Sequence, residues 1–347
     1  MPDTMRGALH DGKGAVRVHD VPLPDRFPGS ALLRVRKVGI CGSDLNLHSE
    51  RTEPEVLPSG HEVAGEIVEL PPGETRLRIG DRVAVESIGN GLSCGACWYC
   101  RQGQRRHCDS IADDTGGGYA QYMTRRQAGL FKITDTMDWA AGALVEPLAV
   151  SVHALRWGGM KPGETVVVVG SSTIGLAAIA GARYLGAGRI VASARHPQQA
   201  EAARRMGADT VVGSEPGALE EAAREATDGR GADLAVETIG GYTFATLEQS
   251  VDAVRNQGRV VIVGGFRKVM PFDFLKPLIR ELTFLFSSCY GIVDGRHDYE
   301  VAIDILSSSA SPFRGIVTHT HDLEDIWTGF ETAYDKSSGS IKVQITV

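Results

Sequence analysis

Four of the chain's six cysteines fall in one short segment, "SCGACWYCRQGQRRHC", which starts at Ser93. Their spacing is Cys94-x2-Cys97-x2-Cys100-x7-Cys108. Four thiolates on one compact loop can form the closed tetrahedral shell of a structural zinc ion. An iron–sulfur cluster or an empty loop are the alternatives, although ferredoxin-type runs have a shorter final gap followed by proline. We expect His107 to be solvated, because four sulfurs already complete the shell.

The composition limits the compartment and the partners of the chain. Its 347 residues, 42% hydrophobic and 23% charged, predict two domains with cores of ordinary size. The net charge of −7 argues against a nucleic-acid or anionic-membrane partner. Met1 to His10 lacks the apolar segment of a signal peptide, and polar residues interrupt the most apolar stretch, Val166 to Leu185. We therefore expect no membrane association and a cytoplasmic protein, in which disulfides are rare.

The hydrophobic pattern changes near residue 150. Before it, short segments alternate apolar and polar residues, which predicts an antiparallel, partly barrelled β domain. These segments are "GAVRVHDVP", "ALLRVRKVG", "HEVAGEIVEL" and "DRVAVES". The cysteine segment is one long loop of this domain, and the polar loop from Leu45 to Pro58 is expected to line a substrate cleft.

Beyond residue 150, apolar runs alternate with helical segments, which predicts an α/β domain with a doubly wound, six-stranded parallel sheet. The six predicted strands lie in "GETVVVVG", "RIVASA", "DTVVG", "DLAVETIG", "RVVIVGG" and "LTFLFSS". Predicted helices cover Ile174–Leu185, the segment from Pro197 to Gly207, Ala218–Ala226, Thr243–Val254 and Tyr299–Leu306. Short strands complete the tail to Val347. We assign residues 1–152 and 291–347 to the β domain, and 153–290 to the α/β domain.

The turn after the first strand of the α/β domain reads "VVVVGSSTIG". Gly170 and Gly175 fill the first and third positions of G-x-G-x-x-G, and Ser172 takes the second. A tight turn that opens a helix directs backbone N–H groups at a pyrophosphate, so the turn predicts a dinucleotide site. The alternative is a strand–helix turn without a ligand. The predicted cofactor contacts are Gly170, Ser172, Thr173, Ile174, Gly175, Ser193, Ala194, Arg195, Thr238 and Val263.

The end of the second strand indicates which dinucleotide binds. An acidic residue there would bond the ribose 2′-hydroxyl and select NAD. This position, 24 residues after Gly170, holds Ala194, and Arg195 follows it. A guanidinium without a neighbouring carboxylate favours NADP(H) over NAD(H), because it can pair with a 2′-phosphate. The alternative for Arg195 is an exposed loop charge.

Several motifs together resemble the zinc-dependent medium-chain dehydrogenase/reductase family over essentially the whole chain. They are "GICGSD", "GHE", "GDRVAV", "CGACWYC", "GGYAQY" and "EPLAV", in the family's order and spacing. Glu62 beside His61, and Glu146 in "EPLAV", make the chain similar to the polyol, sorbitol and threonine dehydrogenase branch. The branch with a second catalytic cysteine fits less well, since Glu146 occupies the matching position. The resemblance implies a GroES-like catalytic domain and a Rossmann domain.

The resemblance also implies a catalytic zinc, and therefore two Zn²⁺ per chain. Cys41, His61 and Glu62 would be its ligands, and Glu146 would bind directly or through a water. Three protein ligands leave an open position for substrate, as zinc catalysis requires.

Three neighbours of Cys41 receive roles from the same resemblance. Asp44 would orient the histidine ligand. The Ser43 hydroxyl would begin a proton relay. His48 is either the next member of that relay or a solvated loop residue.

The implied activity is hydride exchange between a nicotinamide and a secondary alcohol or its ketone, a small molecule such as a polyol, sugar or amino alcohol. Two alternatives remain: a zinc-free enone or quinone reductase of the same superfamily, and a non-catalytic cofactor-binding sensor. The apolar segment Glu281–Gly291 is the last strand of the predicted sheet. The family pairs this strand across a two-fold axis, which implies a homodimer or homotetramer and protects an edge that would otherwise aggregate.

Overall fold

The computed structural model describes residues 3–269 and 271–347. In chain order, the strands are β1 Thr4–His10, β2 Val16–Pro22, β3 Ser30–Gly39, β4 Glu62–Glu69, β5 Arg82–Glu86, β6 Tyr122–Arg126, β7 Leu130–Lys132, β8 Thr165–Val169, β9 Arg189–Ser193, β10 Thr210–Val212, β11 Ala232–Glu237, β12 Val254–Ile262, β13 Thr283–Phe286, β14 Ile292–Val293, β15 Arg296–His297, β16 Val317–Asp322 and β17 Lys342–Thr346. The helices are α1 Gly42–Glu50, α2 Gly89–Leu92, α3 Trp98–Arg101, α4 Trp139–Ala143, α5 Val145–Trp157, α6 Thr173–Tyr184, α7 Pro197–Met206, α8 Ala218–Glu225, α9 Ala245–Ala253, α10 Leu275–Ile279, α11 Asp298–Ser307 and α12 Ile326–Tyr334.

The described residues form two compact units. One contains the residues up to Glu146 together with Ala302–Val347, and the other contains Pro147–Val301. The domain limits predicted from the sequence, after residues 152 and 290, remain a prediction. Residues 1, 2 and 270 of those predicted domains lie outside the described residues.

The first unit is built on a seven-stranded sheet. Its strand order is β16-β17-β3-β4-β5-β7, and β6 also pairs with β3. Every pair is antiparallel except β16 with β17. Ile345 of β17 lies opposite Val38 of β3, so the end of the chain completes a sheet that begins near its start. The predicted antiparallel β domain is confirmed, and its four predicted strands correspond to β2, β3, β4 and β5.

The second unit contains a six-stranded sheet in the order β10-β9-β8-β11-β12-β13, with every pair parallel. All five residues of the central strand β8 are buried, as expected for a strand covered on both faces. Helix α7 begins at Pro197 and ends at Met206, and its C-cap is Gly207, whose φ of 106° lies in the left-handed region that favours glycine. The six predicted strands and the doubly wound fold are confirmed.

Helices α1 and α12 are among those that lie where the sequence predicts none. The predicted loop from Leu45 is helical as far as Glu50, because α1 is stabilised by an N-terminal cap. The Cys41 N–H donates to Oδ2 of Asp44, and the Cys41 carbonyl accepts from the Asp44 N–H. The C-terminal tail holds a second helix, α12, besides the predicted one. Its buried residues follow the helical period: Ile326, Gly329, Phe330 and Ala333.

Candidate metal centres and dinucleotide site

The four cysteines of the loop come together in space. Their sulfur atoms all lie within 4.8 Å of one another, and all four thiols are free. Sγ of Cys94 and Sγ of Cys100 are 3.9 Å apart. Zn–S bonds of about 2.3 Å in a tetrahedron place sulfurs about 3.8 Å apart, so this donor set fits structural zinc. His107 is exposed and does not belong to the sulfur group.

The loop gives its thiols different acidities. The backbone N–H groups of Ala96 and Cys97 donate to Sγ of Cys94, each at 3.4 Å, and lower the pKa of that thiol to about 6. Burial raises the pKa of Cys100 to about 12. In the metal-free chain at neutral pH, Cys100 therefore carries a proton that a zinc ion must displace.

A second group of donors lies where β3 ends and β4 begins. Cys41, His61 and Glu62 have ligand atoms that all lie within 4.8 Å of one another. Cys41 is the N-cap of α1, and the antiparallel register sets Gly39 opposite Glu62. A thiolate, an imidazole and a carboxylate form the mixed donor set of catalytic zinc sites with an open position. These predicted ligands lie on separate segments of the sequence, and the fold brings them together in space.

Asp44 is held beside His61 by two hydrogen bonds. Its Oδ1 lies 3.5 Å from Nδ1 of His61. Its Oδ2 accepts from the Cys41 N–H at 2.9 Å and from the Tyr119 hydroxyl at 2.7 Å. A proton on Nδ1 of His61 that pairs with this carboxylate would leave the lone pair of Nε2 for a metal ion. Sequence reasoning missed Tyr119, although it lies in the quoted motif "GGYAQY".

Buried negative charge surrounds His61. Burial lowers the pKa of His61, but Asp44, Cys41 and Glu146 outweigh burial and hold this pKa well above its ordinary value. Burial also raises the pKa of Glu146, which lies in the first turn of α5, to about 7, and Glu62 adds to the increase. Among the described residues Glu146 is not part of the group of three ligand atoms. Such clustered anions stabilise a bound cation.

Lys342 is a residue of the site that the sequence does not predict. Its Nζ donates to Oε1 of Glu62 at 2.5 Å and to the Ile40 carbonyl at 2.8 Å. Both side chains of the ion pair are almost completely buried. The two residues are 280 positions apart, so no local pattern could link them.

The two predicted relay residues differ in their surroundings. Ser43 is exposed in the first turn of α1. The Tyr334 hydroxyl donates to the Leu45 carbonyl at 2.5 Å, which leaves its oxygen to accept from Nδ1 of His48 at 2.8 Å. The other ring neighbours of His48 are His10, Trp327 and Phe330. None of these contacts is a predicted site residue, and the relay role of His48 remains a prediction.

The predicted cofactor residues lie at the carboxyl ends of parallel strands in the second unit. Gly170 follows β8, Thr238 follows β11 and Val263 follows β12. Thr238 donates its hydroxyl to the Val169 carbonyl at 2.8 Å, and the Val263 N–H donates to the Glu237 carbonyl at 2.9 Å. This edge, beside the central strand where the strand order reverses, is where doubly wound sheets bind nucleotides.

The turn between β8 and α6 requires glycine at two positions. Gly170 has φ 93°, and a Cβ there would lie 2.6 Å from the Ile239 side chain. A Cβ on Gly175 would lie 1.9 Å from the Gly170 carbonyl oxygen. Ser172, the N-cap of α6, is exposed and its hydroxyl does not cap the helix. Thr173 and Ile174, in the first turn of α6, are half-buried. The turn therefore has the close packing that a pyrophosphate loop needs.

At the end of β9, hydrogen bonds of Ser193 hold the turn after β8, and the exposed cation Arg195 follows. The Gly170 N–H donates to Oγ of Ser193 at 3.0 Å, and the Ser171 hydroxyl donates to the Ser193 carbonyl at 2.8 Å. Ser193 therefore holds the turn in place. Ala194 is buried, and Arg195 is exposed at the position next to it.

Two family profiles match the chain. Residues 27–135 match the alcohol dehydrogenase GroES-like domain, and residues 173–308 match the zinc-binding dehydrogenase domain. No helix among residues 3–269 and 271–347 is long and apolar enough to cross a membrane.

Known proteins resemble the chain over nearly its full length. It is 32% identical to a sorbitol dehydrogenase of Bacillus subtilis, over 99% of this chain and 98% of the relative. It is 30% identical to an erythritol/L-threitol dehydrogenase of Mycolicibacterium smegmatis, over 100% and 98%. A zinc-binding dehydrogenase from Sinorhizobium meliloti 1021, solved bound to NADP, superposes with a TM-score of 0.86 at 27% identity and covers 100% of both chains.

Proposed function

Because the chain belongs to the zinc-type medium-chain alcohol dehydrogenase family, in its polyol dehydrogenase branch, we propose that it oxidises a polyol to the corresponding ketose. The chain is an oxidoreductase that interconverts secondary alcohols and ketones. The substrate class is inferred from relatives named for sorbitol, erythritol and threitol. The observation that carries the proposal is the group of Cys41, His61 and Glu62, whose ligand atoms lie within 4.8 Å of one another.

Two zinc sites per chain are part of the proposal. Zinc in the four-cysteine loop stabilises that loop, since its sulfurs leave no open position. Zinc held by Cys41, His61 and Glu62 would supply a Lewis acid for the substrate oxygen. Glu146 contributes a buried carboxyl group beside these ligands.

The chain's own residues prepare the reaction. Asp44 directs His61 through Nδ1, and Tyr119 fixes Asp44 in turn. Oγ of Ser43, which is exposed two residues after Cys41, would accept the substrate hydroxyl proton while the Ser43 hydroxyl releases its own proton to solvent. The turn from Gly170 to Gly175 binds the pyrophosphate of the nicotinamide dinucleotide, which accepts the hydride.

NADP(H) is the proposed cofactor. Arg195 is exposed at the carboxyl end of β9, and Ala194 offers no carboxylate that would repel a 2′-phosphate. The Sinorhizobium relative bound to NADP supports the same choice.

Self-association is proposed to occur through β13, the last strand of the parallel sheet. Phe286 on this strand is 75% exposed, and large apolar side chains on and before α10 are exposed as well: Phe274, Leu275, Leu278 and Ile279. An apolar edge strand is stable when it pairs with a second copy. Light scattering at micromolar concentration is expected to show a dimer or tetramer, and Phe286→Glu to shift it to monomer. A monomeric parent chain would contradict the assembly.

The test of function is a substrate panel. Sorbitol, xylitol, erythritol, hydroxy-amino acids and simple secondary alcohols are assayed with NAD and NADP in parallel, by absorbance of the reduced cofactor. A polyol with NADP is expected to give the highest kcat/KM. Absence of turnover on every polyol would overturn the proposal. Metal content separates the alternatives: a sensor holds only the loop zinc, and a zinc-free reductase holds none.

A further inference from the structure

A buried cation contacts the candidate catalytic metal centre. Lys342 is 1% exposed, and its ammonium donates to Oε1 of Glu62 at 2.5 Å and to the Ile40 carbonyl at 2.8 Å. Oε2 of Glu62 is also in ion-pair contact with Nζ. A buried ammonium is stable only when protein acceptors replace its lost hydration. The Glu62 carboxylate is the anionic partner in this contact.

The sheet is shaped to hold this ion pair. Lys342 begins β17, and Glu62 begins β4, with β3 between these two strands. Gly39 of β3 lies opposite both Glu62 and Gln344. A Cβ on Gly39 would lie 1.9 Å from Oε2 of Glu62 and 2.8 Å from Cε of Lys342. Glycine at this position therefore leaves the space that the two side chains occupy.

The same carboxylate belongs to the metal-ligand group. Glu62 has an oxygen within 4.8 Å of the ligand atoms of Cys41 and His61. The Glu62 carboxylate can therefore pair with two cations, the Lys342 ammonium and a metal ion. An ammonium beside a ligating carboxylate repels the metal ion. It also draws negative charge away from the carboxylate oxygens, and both effects weaken the bond between the carboxylate and the metal.

We propose that Lys342 is a positioning residue that shares Glu62 with the metal ion. Its ammonium balances the negative charge of the buried Glu62 carboxylate in the metal-free chain. In the zinc-bound chain it makes Glu62 a weak, readily displaced ligand. This inference rests on the proposed function, because it takes Glu62 as a ligand of the catalytic zinc.

The direct test is Lys342→Met, which keeps the apolar stem and removes the charge. In the metal-free variant Glu62 is a buried anion without its counter-ion, so thermal unfolding is expected at a lower temperature than in the parent. Added Zn²⁺ then supplies the missing charge. The rise in Tm on adding zinc is therefore expected to exceed that of the parent, and chelator competition to show at least tenfold tighter zinc binding at this site.

Cobalt substitution gives a readout independent of turnover. The visible spectrum of Co²⁺ depends on its ligands, so stronger binding by Glu62 in Lys342→Met is expected to shift the bands. The matched control is Lys336→Met, which removes a partly buried ammonium that donates to the Ala333 carbonyl at 2.6 Å. Its Co²⁺ spectrum and zinc affinity should equal those of the parent.

A double variant keeps the test valid if Lys342→Met does not fold. Lys342→Met combined with Glu62→Gln removes both buried charges, a change that folded proteins tolerate better than removal of one. In the Glu62→Gln background, Lys342→Met is expected to change zinc affinity less than twofold.

The inference is overturned if Lys342→Met binds zinc with parental or weaker affinity and leaves the Co²⁺ spectrum unchanged. It is also overturned if Lys342→Met tightens zinc binding equally in the Glu62→Gln background. If the parent keeps two zincs and polyol turnover in these cases, only the role of Lys342 fails. A parent chain with zinc in the loop alone would remove the proposed function as well.

Discussion

The Tyr119 hydroxyl donates a 2.7 Å hydrogen bond to Oδ2 of Asp44, whose other oxygen faces Nδ1 of His61 at 3.5 Å. Asp44 and Tyr119 are both buried, so the carboxylate depends on protein donors in place of water. The bond therefore controls the orientation of a predicted metal ligand without touching the metal itself.

Tyr119→Phe is expected to weaken zinc binding at the Cys41 site by about 10- to 100-fold, as loss of a group that orients a ligand does. The free energy of unfolding should fall by about 1–3 kcal/mol, because a buried carboxylate oxygen loses a donor. Chelator competition and denaturant titration measure the two effects. Tyr184→Phe, at an exposed tyrosine, is the control and should change neither.

Gly175→Ala is expected to abolish dinucleotide binding. The added Cβ would lie 1.9 Å from the Gly170 carbonyl oxygen, so the turn and the start of α6 must move apart. Overpacking of this kind costs about 1–3 kcal/mol of stability. Fluorescence titration with NADPH measures the binding. Gly265→Ala serves as the control, since a Cβ there meets nothing within 4 Å; equal affinity of both variants would contradict the proposed turn.

Arg195→Asp is expected to reverse the cofactor preference. The change removes a charge-assisted contact to the 2′-phosphate, worth about 1.5–3 kcal/mol, and supplies a carboxylate for the 2′-hydroxyl of NAD. The ratio of kcat/KM for NADP to that for NAD should fall by about 100-fold or more. Arg189→Asp, at the opposite end of β9, should leave the ratio unchanged. An unaltered ratio in Arg195→Asp would leave Arg195 as a solvated charge.

Zinc binding by the cysteine loop is expected to tighten as pH rises from 7 to 9. Burial raises the pKa of Cys100 to about 12, so this thiol is protonated over the whole range in the metal-free loop. Zinc must displace that proton, and each proton released gives about a tenfold gain in affinity per pH unit. A His61→Ala variant reports zinc binding by the loop alone. A plot of the logarithm of its zinc affinity against pH should have a slope of at least one. A slope of zero would show that no thiol is protonated before zinc binds.

Much of the fold is predictable because it follows from local patterns. The all-apolar strand β8, the glycines of the following turn and the Pro197-to-Gly207 helix each have local signals in the sequence. Helix α1 is different, because it depends on an N-terminal cap between Cys41 and Asp44 within a polar segment. Its sequence lacks an apolar stripe, so the pattern predicts a loop.

The site is predictable only where a motif marks it. The resemblance names Cys41, His61 and Glu62 from separate segments, and these three are neighbours. Tyr119 lies in the motif "GGYAQY", but the motif does not show that Asp44 is its partner. Lys342 has no such signal, because its contact with Glu62 depends on how β3 pairs with β4 and β17. Strand pairing joins residues hundreds of positions apart, and composition and periodicity do not contain that information.

Zinc content measured together with turnover tests the central claim most directly. The parent chain is expected to hold two zincs per chain. Cys41→Ser should hold one, lose polyol oxidation and still bind NADPH with parental affinity. Two retained zincs with full turnover in Cys41→Ser would contradict the account, since an ion held by Cys41, His61 and Glu62 would then have no part in the reaction.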